Sequence, residues 1–135
     1  MSKALLVGDN SPFSHFLRHS LPRQFPDLEI AEATSETQAR DLIESFSPDL
    51  IFLDAHLTDG NSFELSKEIK TSTSNAIIIM LANYYIHEYK TTGEDYGADF
   101  FLSKEQPLNF ILNFIAELIV IALLQPKNMV KTFII

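Results

Sequence analysis

Three uninterrupted apolar runs constrain this chain more than anything else in it: ALLV at 4–7, LIFL at 50–53 and AIIIMLA at 76–82. Each is short for a helix and lacks the in–out alternation of a strand with one wet face. Runs of this kind are strands covered on both sides, as in a parallel sheet. Parallel neighbours cannot be joined by tight turns. Each strand must be followed by a crossover long enough to hold a helix.

The stretches between the runs supply those helices. Ser11 and Pro12 open the first, with Ser as cap and Pro in the first turn, and Phe13, Phe16, Leu17 and Leu21 share one face. LEIAEA at 28–33 alternates and reads as a second strand. Ser35 and Gln38 have capping-box spacing, and Ala39, Leu42, Ile43 and Phe46 follow at helical intervals until Pro48. Asn61 or Ser62 caps a weaker helix to about Thr71. The stretch Tyr84–Tyr96 is poorly periodic and contains Gly93, which predicts a loose helix. DFFL at 99–102 is a fifth strand, and a last helix runs from Leu108 to about Leu124, stopped by Pro126. Strands and helices in this alternation predict an α/β sandwich around a parallel five-stranded sheet.

Composition narrows the function classes. A chain of 135 residues makes one domain. It has no cysteine, which excludes disulfides, thiol nucleophiles and thiolate metal sites. The net charge is −8, and the ten Lys and Arg are scattered, which argues against a nucleic-acid surface. Any partner is expected to be a protein or a small cation. The apolar run Leu118–Leu124 has seven residues, against the roughly 18 a membrane span needs. With no signal-like N-terminus either, a cytoplasmic address is expected.

In folds of this class ligands sit beyond the carboxyl ends of the strands. Two carboxylates and one ammonium fall there: Asp9, Asp54 and Lys104. Converging carboxylates repel unless a hard cation or a cationic side chain sits between them. Mg²⁺ suits one or two carboxylates plus phosphate oxygens, and an aspartate beside it can attack a phosphoryl group. The competing reading is a set of unrelated loop charges.

Four pieces of the chain, in order and each at a strand end, decide between these: LLVGDN at 5–10, PDLIFLDAHLTDG at 48–60, IIIMLAN at 77–83 and GADFFLSKE at 97–105. Over about residues 3–124 the chain resembles the receiver domains of two-component response regulators. The resemblance implies a flavodoxin-like doubly wound fold with strand order 2-1-3-4-5. It implies that Asp54 is the phospho-acceptor and that Asp9 binds Mg²⁺ directly. His56 would lend the metal its backbone carbonyl, Lys104 would hold the phosphoryl group, and Phe101 would take the aromatic switch position. The implied partners are a histidine kinase or phosphotransfer protein and a downstream protein. The chain itself is not expected to be an enzyme.

The departures are specific. The acidic pair after the first strand has Gly8 as its first member, which removes a charge and should weaken Mg²⁺ binding. The switch hydroxyl at the end of the fourth strand is Ala82, which has no donor. The next position, usually small, is Asn83, whose amide either crowds the site or replaces the missing hydroxyl. Thr58 stands where a proline is usual. Two accounts follow. In one, Asp54 is still phosphorylated, with a weak or different response. In the other, the domain is a pseudo-receiver that docks or dimerises without phosphate. Acidic residues packed together without a metal carry a standing cost, which favours the first.

Other features attract hypotheses. His15 and His19 have metal-ligand spacing but lie opposite the Phe13/Phe16/Leu17 face, so they read as solvated surface. The glycines form neither a dinucleotide nor a Walker loop. A flavodoxin-like mononucleotide site would find a carboxylate, Asp9, where phosphate should sit. On the last helix, Asn109, Asn113 and Glu117 mark a polar stripe that continues into Val120 and Leu124. The final turns are thus apolar nearly all round, and the tail from Met129 through Phe133 to Ile135 is apolar too. Either the tail covers the helix, or helix and tail form a homodimer or partner contact. The expected organisation is a stand-alone receiver domain over 1–125 with an apolar tail over 126–135.

Overall fold

The computed structural model describes residues 3–8, 11–57, 61–72, 76–83 and 95–124, with side chains through Val120. The strands are β1 (Lys3–Val7), β2 (Glu29–Ala33), β3 (Leu50–Asp54), β4 (Ile77–Ala82) and β5 (Phe100–Ser103). All neighbouring pairs are parallel, in the order β2-β1-β3-β4-β5. This is the flavodoxin-like order that the family resemblance implies. The described helices are α1 (Pro12–Gln24), α2 (Glu36–Phe46), α3 (Ser62–Ser72) and a C-terminal helix (Leu108–Leu124). The loose helix expected over Tyr84–Tyr96 falls almost wholly on 84–94, outside the described residues, as does the tail.

The apolar runs are central because both their faces are covered. Alternate residues of β1, β3 and β4 enter two separate cores. Leu6, Phe52 and Ile79 pack against Leu17 and Leu21 of α1 and Ile111, Ile115 and Leu118 of the C-terminal helix. Leu5, Ile51, Ile78 and Met80 pack against Ala39 of α2 and Leu65 and Ile69 of α3. Residues in β3 and β4 are buried throughout, which is why these two runs show no alternation. Among the described residues no helix is long and apolar enough to cross a membrane.

Local signals act with small shifts. Ser11 caps α1 by accepting the Ser14 N–H, and Ser35 caps α2 by accepting the Gln38 N–H. The box at α2 closes one residue early: Gln38 Oε1 accepts the N–H and hydroxyl of Thr34. At α3 Asn61 is the cap, accepting from Phe63 and Glu64, while Ser62 turns inward. β5 starts at Phe100 rather than Asp99, because the Asp99 carboxylate is otherwise engaged. It accepts the Ile78 N–H at 2.9 Å and pairs with Lys70 at 2.5 Å. The expected face of the C-terminal helix is present: Ile111, Phe114, Ile115, Leu118 and Ile119 are buried, while Asn109, Asn113, Glu117 and Val120 are exposed.

Candidate functional site

The carboxyl ends of β1, β3, β4 and β5 meet at one edge of the sheet. Asp54 closes β3 and is 4% exposed. A buried carboxylate needs partners for both oxygens. Oδ1 accepts the backbone N–H of His56 at 2.8 Å, and Oδ2 accepts from Lys104 Nζ at 2.7 Å. The Lys104 side chain is itself only 9% exposed. Ser62 Oγ donates to the Asp54 backbone carbonyl at 2.5 Å, which ties the start of α3 to the end of β3.

The sheet explains how residues fifty positions apart meet. β4 lies between β3 and β5, with Asp54 beside Leu81 and Ala82 beside Ser103. Two strand spacings separate β3 from β5 by about 9.6 Å. A lysine stem is long enough to cross that gap, provided the strand between ends in a small side chain. Ala82 supplies it, fully buried. Hydrogen bonds continue past the strand ends: Ala55 N–H donates to Leu81 O at 2.7 Å and Lys104 N–H to Ala82 O at 2.7 Å. They fix both residues relative to β4.

Gly8 completes this edge. Its N–H donates to Ala33 O at 3.0 Å, and its backbone does not require glycine. Space is the issue. A Cβ added there would stand 3.3 Å from Ser14 Oγ, 3.4 Å from Asp54 Cβ and 3.6 Å from Asp54 Oδ2. A side chain at position 8 would thus reach over Asp54. A small cavity of about 20 Å³, room for about one water, lies at this spot; Gly8, Phe13, Ser14, Asp54 and Lys104 are in its wall.

The structure therefore brings together Asp54, the His56 N–H, Lys104, Gly8 and Ala82. Asp9 lies outside the described residues. Asn83 is exposed beyond β4. Phe101 is half-buried and faces the α2–α3 core. Val120 is 53% exposed on the C-terminal helix; the Leu124 side chain and Phe133 lie outside the described residues. His15 and His19 are exposed, with His15 Nδ1 3.3 Å from Arg18. Two contributors escaped the sequence reading. Ser62 reads by sequence as an alternative cap, yet its Oγ donates to the Asp54 carbonyl. Phe13 was assigned to the apolar face of α1, yet Lys104 Nζ lies 5.3 Å from its ring centroid. The usable signal was position: the first turn after a strand faces the same edge as the strand end.

The oxygen donors on this edge suit a hard divalent cation only in part. Asp54 supplies a carboxylate, and the empty space over Gly8 stands where a second would reach it. Among the described residues no three His, Asp or Glu converge on one point.

The Asp54–Lys104 pair is testable without any ligand. Lys104→Met should cost about 3 kcal/mol in urea unfolding, because it leaves a buried carboxylate without its cation. Adding Asp54→Asn should recover most of that loss, as a double-mutant cycle reads directly.

Comparison with known proteins agrees with this fold. The family model of the response regulator receiver domain matches residues 4–116. The chain is 33% identical over 106 residues to the KDP operon transcriptional regulatory protein KdpE of Escherichia coli, covering 77% of this chain and 45% of that protein. It is 31% identical over 106 residues to the chemotaxis protein CheY of Halobacterium salinarum, covering 77% of this chain and 86% of that one. The chain spans 45% of KdpE and 40% and 46% of two further curated relatives, so less than half of each. Among solved structures, the receiver domain of a DNA binding response regulator from Colwellia psychrerythraea superposes with a TM-score of 0.80 at 22% identity, covering 88% of this chain and 98% of that one. A response regulator from Burkholderia pseudomallei, solved with a phosphorylated aspartic acid, calcium ion and citrate, gives 0.73 at 23%, covering 83% and 65%. Identities this low speak for the fold; the family match over most of the chain speaks for more. The chain belongs to the receiver domains of two-component response regulators.

Proposed function

We propose that Asp54 accepts a phosphoryl group from a histidine kinase or phosphotransfer protein, and that the modified domain alters its contacts with a downstream protein. One observation carries this reading. A buried aspartate ends the central strand with each oxygen held by one donor, and one of those donors is a lysine. In the transfer, an Asp54 oxygen bonds to phosphorus, and the P–N bond to the donor histidine breaks with its electron pair staying on the imidazole. The chain acts as acceptor, not as an enzyme. Lys104 follows the new charge and pairs with a phosphoryl oxygen. Asp9, Asp54 and the backbone carbonyl of His56 would hold Mg²⁺, which neutralises charge on the phosphoryl oxygens when bound. With Gly8 in place of an acid, that hold is weak.

A small phosphodonor with Mg²⁺ should add the mass of one phosphoryl group to the intact chain, and Asp54→Asn should abolish the gain. No gain in the unmodified chain, or an unchanged gain in the variant, would remove the proposal.

Gly8→Asp probes the missing acid separately. A carboxylate reaching over Asp54 adds a second negative charge within a few ångström. Mg²⁺ affinity should rise at least about tenfold. Without metal, the same variant should melt at a lower temperature, because like charges then face one another. Calorimetric titration and thermal melts with a chelator read the two effects.

A second reading has its own observation. Leu108, Phe110 and Val120 of the C-terminal helix are 51%, 44% and 53% exposed, an unusual load of large apolar surface for one helix. This favours a homodimer or docking contact through that helix and the tail, independent of phosphate. Deleting residues 126–135 should then lower the mass measured by light scattering. An unchanged oligomer with unchanged partner binding would count against it.

A further inference from the structure

Lys104 is held from two sides, and only one of them is a carboxylate. Its Nζ lies 2.7 Å from Asp54 Oδ2 and 5.3 Å from the centroid of the Phe13 ring. The second distance is within the range at which a ring face attracts a cation. The ammonium is 9% exposed as judged by its side chain, so water does little to screen that attraction. Phe13, Asp54 and Lys104 also line one cavity.

The ring is itself fixed. Phe13 sits in the first turn of α1, where Ser11 caps the helix through Ser14 N–H at 3.2 Å and Pro12 presets the backbone. It packs on the core below, and its centroid is 6.3 Å from that of Phe16. A rigid ring on one side and a charged oxygen on the other leave the lysine few rotamers.

We propose that Phe13 is a positioning residue for Lys104, whose ammonium its ring face holds at the mouth of the Asp54 site, ready for an incoming phosphoryl oxygen. The inference rests on the phosphoryl-accepting reading for its purpose, though not for its geometry. When Asp54 becomes an acyl phosphate, its own oxygens lose the full charge that Lys104 now answers. The ring does not change. It keeps the ammonium at the same edge while the lysine exchanges one anionic partner for another. An aliphatic side chain of similar size would fill the space and give the cation nothing.

The test compares Phe13 with Tyr, with Leu and with a series of mono-, di- and trifluorinated phenylalanines at position 13. Fluorine drains the negative face of the ring while nearly preserving its shape, so packing alone predicts a flat series. Two quantities are read: the NMR order parameter of the Lys104 side chain without ligand, and the affinity for beryllofluoride in the presence of Mg²⁺. Both should fall stepwise with fluorination. Phe13→Leu should lose about 3- to 10-fold in affinity, and Phe13→Tyr should retain it. Thermal melts of the fluorinated proteins should stay close to the parent. A flat fluorine series in lysine order, or an ordered lysine in Phe13→Leu, overturns the positioning role even if the mimic binds normally. If the parent binds no mimic while lysine order still tracks the ring, the phosphoryl-accepting reading fails and the positioning role stands.

Discussion

A carboxylate buried at the end of the central strand is the constraint around which this edge of the molecule is arranged. Asp54 loses most of its hydration on folding, and such a group survives ionised only if each oxygen is met by a donor. The His56 N–H meets one and Lys104 meets the other. The first comes from the turn after β3 and the second from two strands away. The pair therefore depends on the parallel order β3-β4-β5, on the ladder bonds that run past the strand ends, and on a small residue at Ala82 beneath the lysine stem. The same pair revises one sequence argument. Acidic residues gathered without a metal would be costly, but Asp54 is neutralised by Lys104 inside the protein. Retention of this aspartate needs no metal to explain it.

Gly8 acquires a physical meaning in that light. A side chain there would come within 3.6 Å of Asp54 Oδ2. An acid at that position would turn a balanced ion pair into a net negative cluster, stable only when a cation joins it. Glycine leaves the described part of the site electrically closed. The consequence is a trade between metal-free stability and metal affinity at a single position.

Much of the fold was legible. Strands buried on both faces leave continuous apolar runs, and AIIIMLA and LIFL lie at the centre of the sheet as β4 and β3. Caps at Ser11 and Ser35 act where the sequence placed them. The site was legible only as a set of residue types at strand ends. Which donor meets which oxygen follows from strand order and side-chain reach, which no local pattern encodes. Periodicity placed Phe13 on the apolar face of α1 correctly but could not show that its ring lies under a cation. The sequence offers either Asn61 or Ser62 as the cap of α3; Asn61 takes the role, and Ser62 Oγ donates to the Asp54 carbonyl.

The loss of a hydroxyl at Ala82 then changes which element feels a new charge on Asp54. A hydroxyl at the end of β4 would pull that strand's terminus toward the phosphoryl group. Alanine offers no such handle, and the backbone bond from Lys104 N–H to Ala82 O moves only if the β5 terminus moves. Among the described residues the cation paired with Asp54 is the Lys104 ammonium, and its second neighbour is the Phe13 ring. A shift of that ammonium of even an ångström alters its distance to the ring, so the force falls on the first turn of α1. On the proposed phosphorylation of Asp54, the elements that would feel the new charge are α1 and the segment after β5, rather than the end of β4.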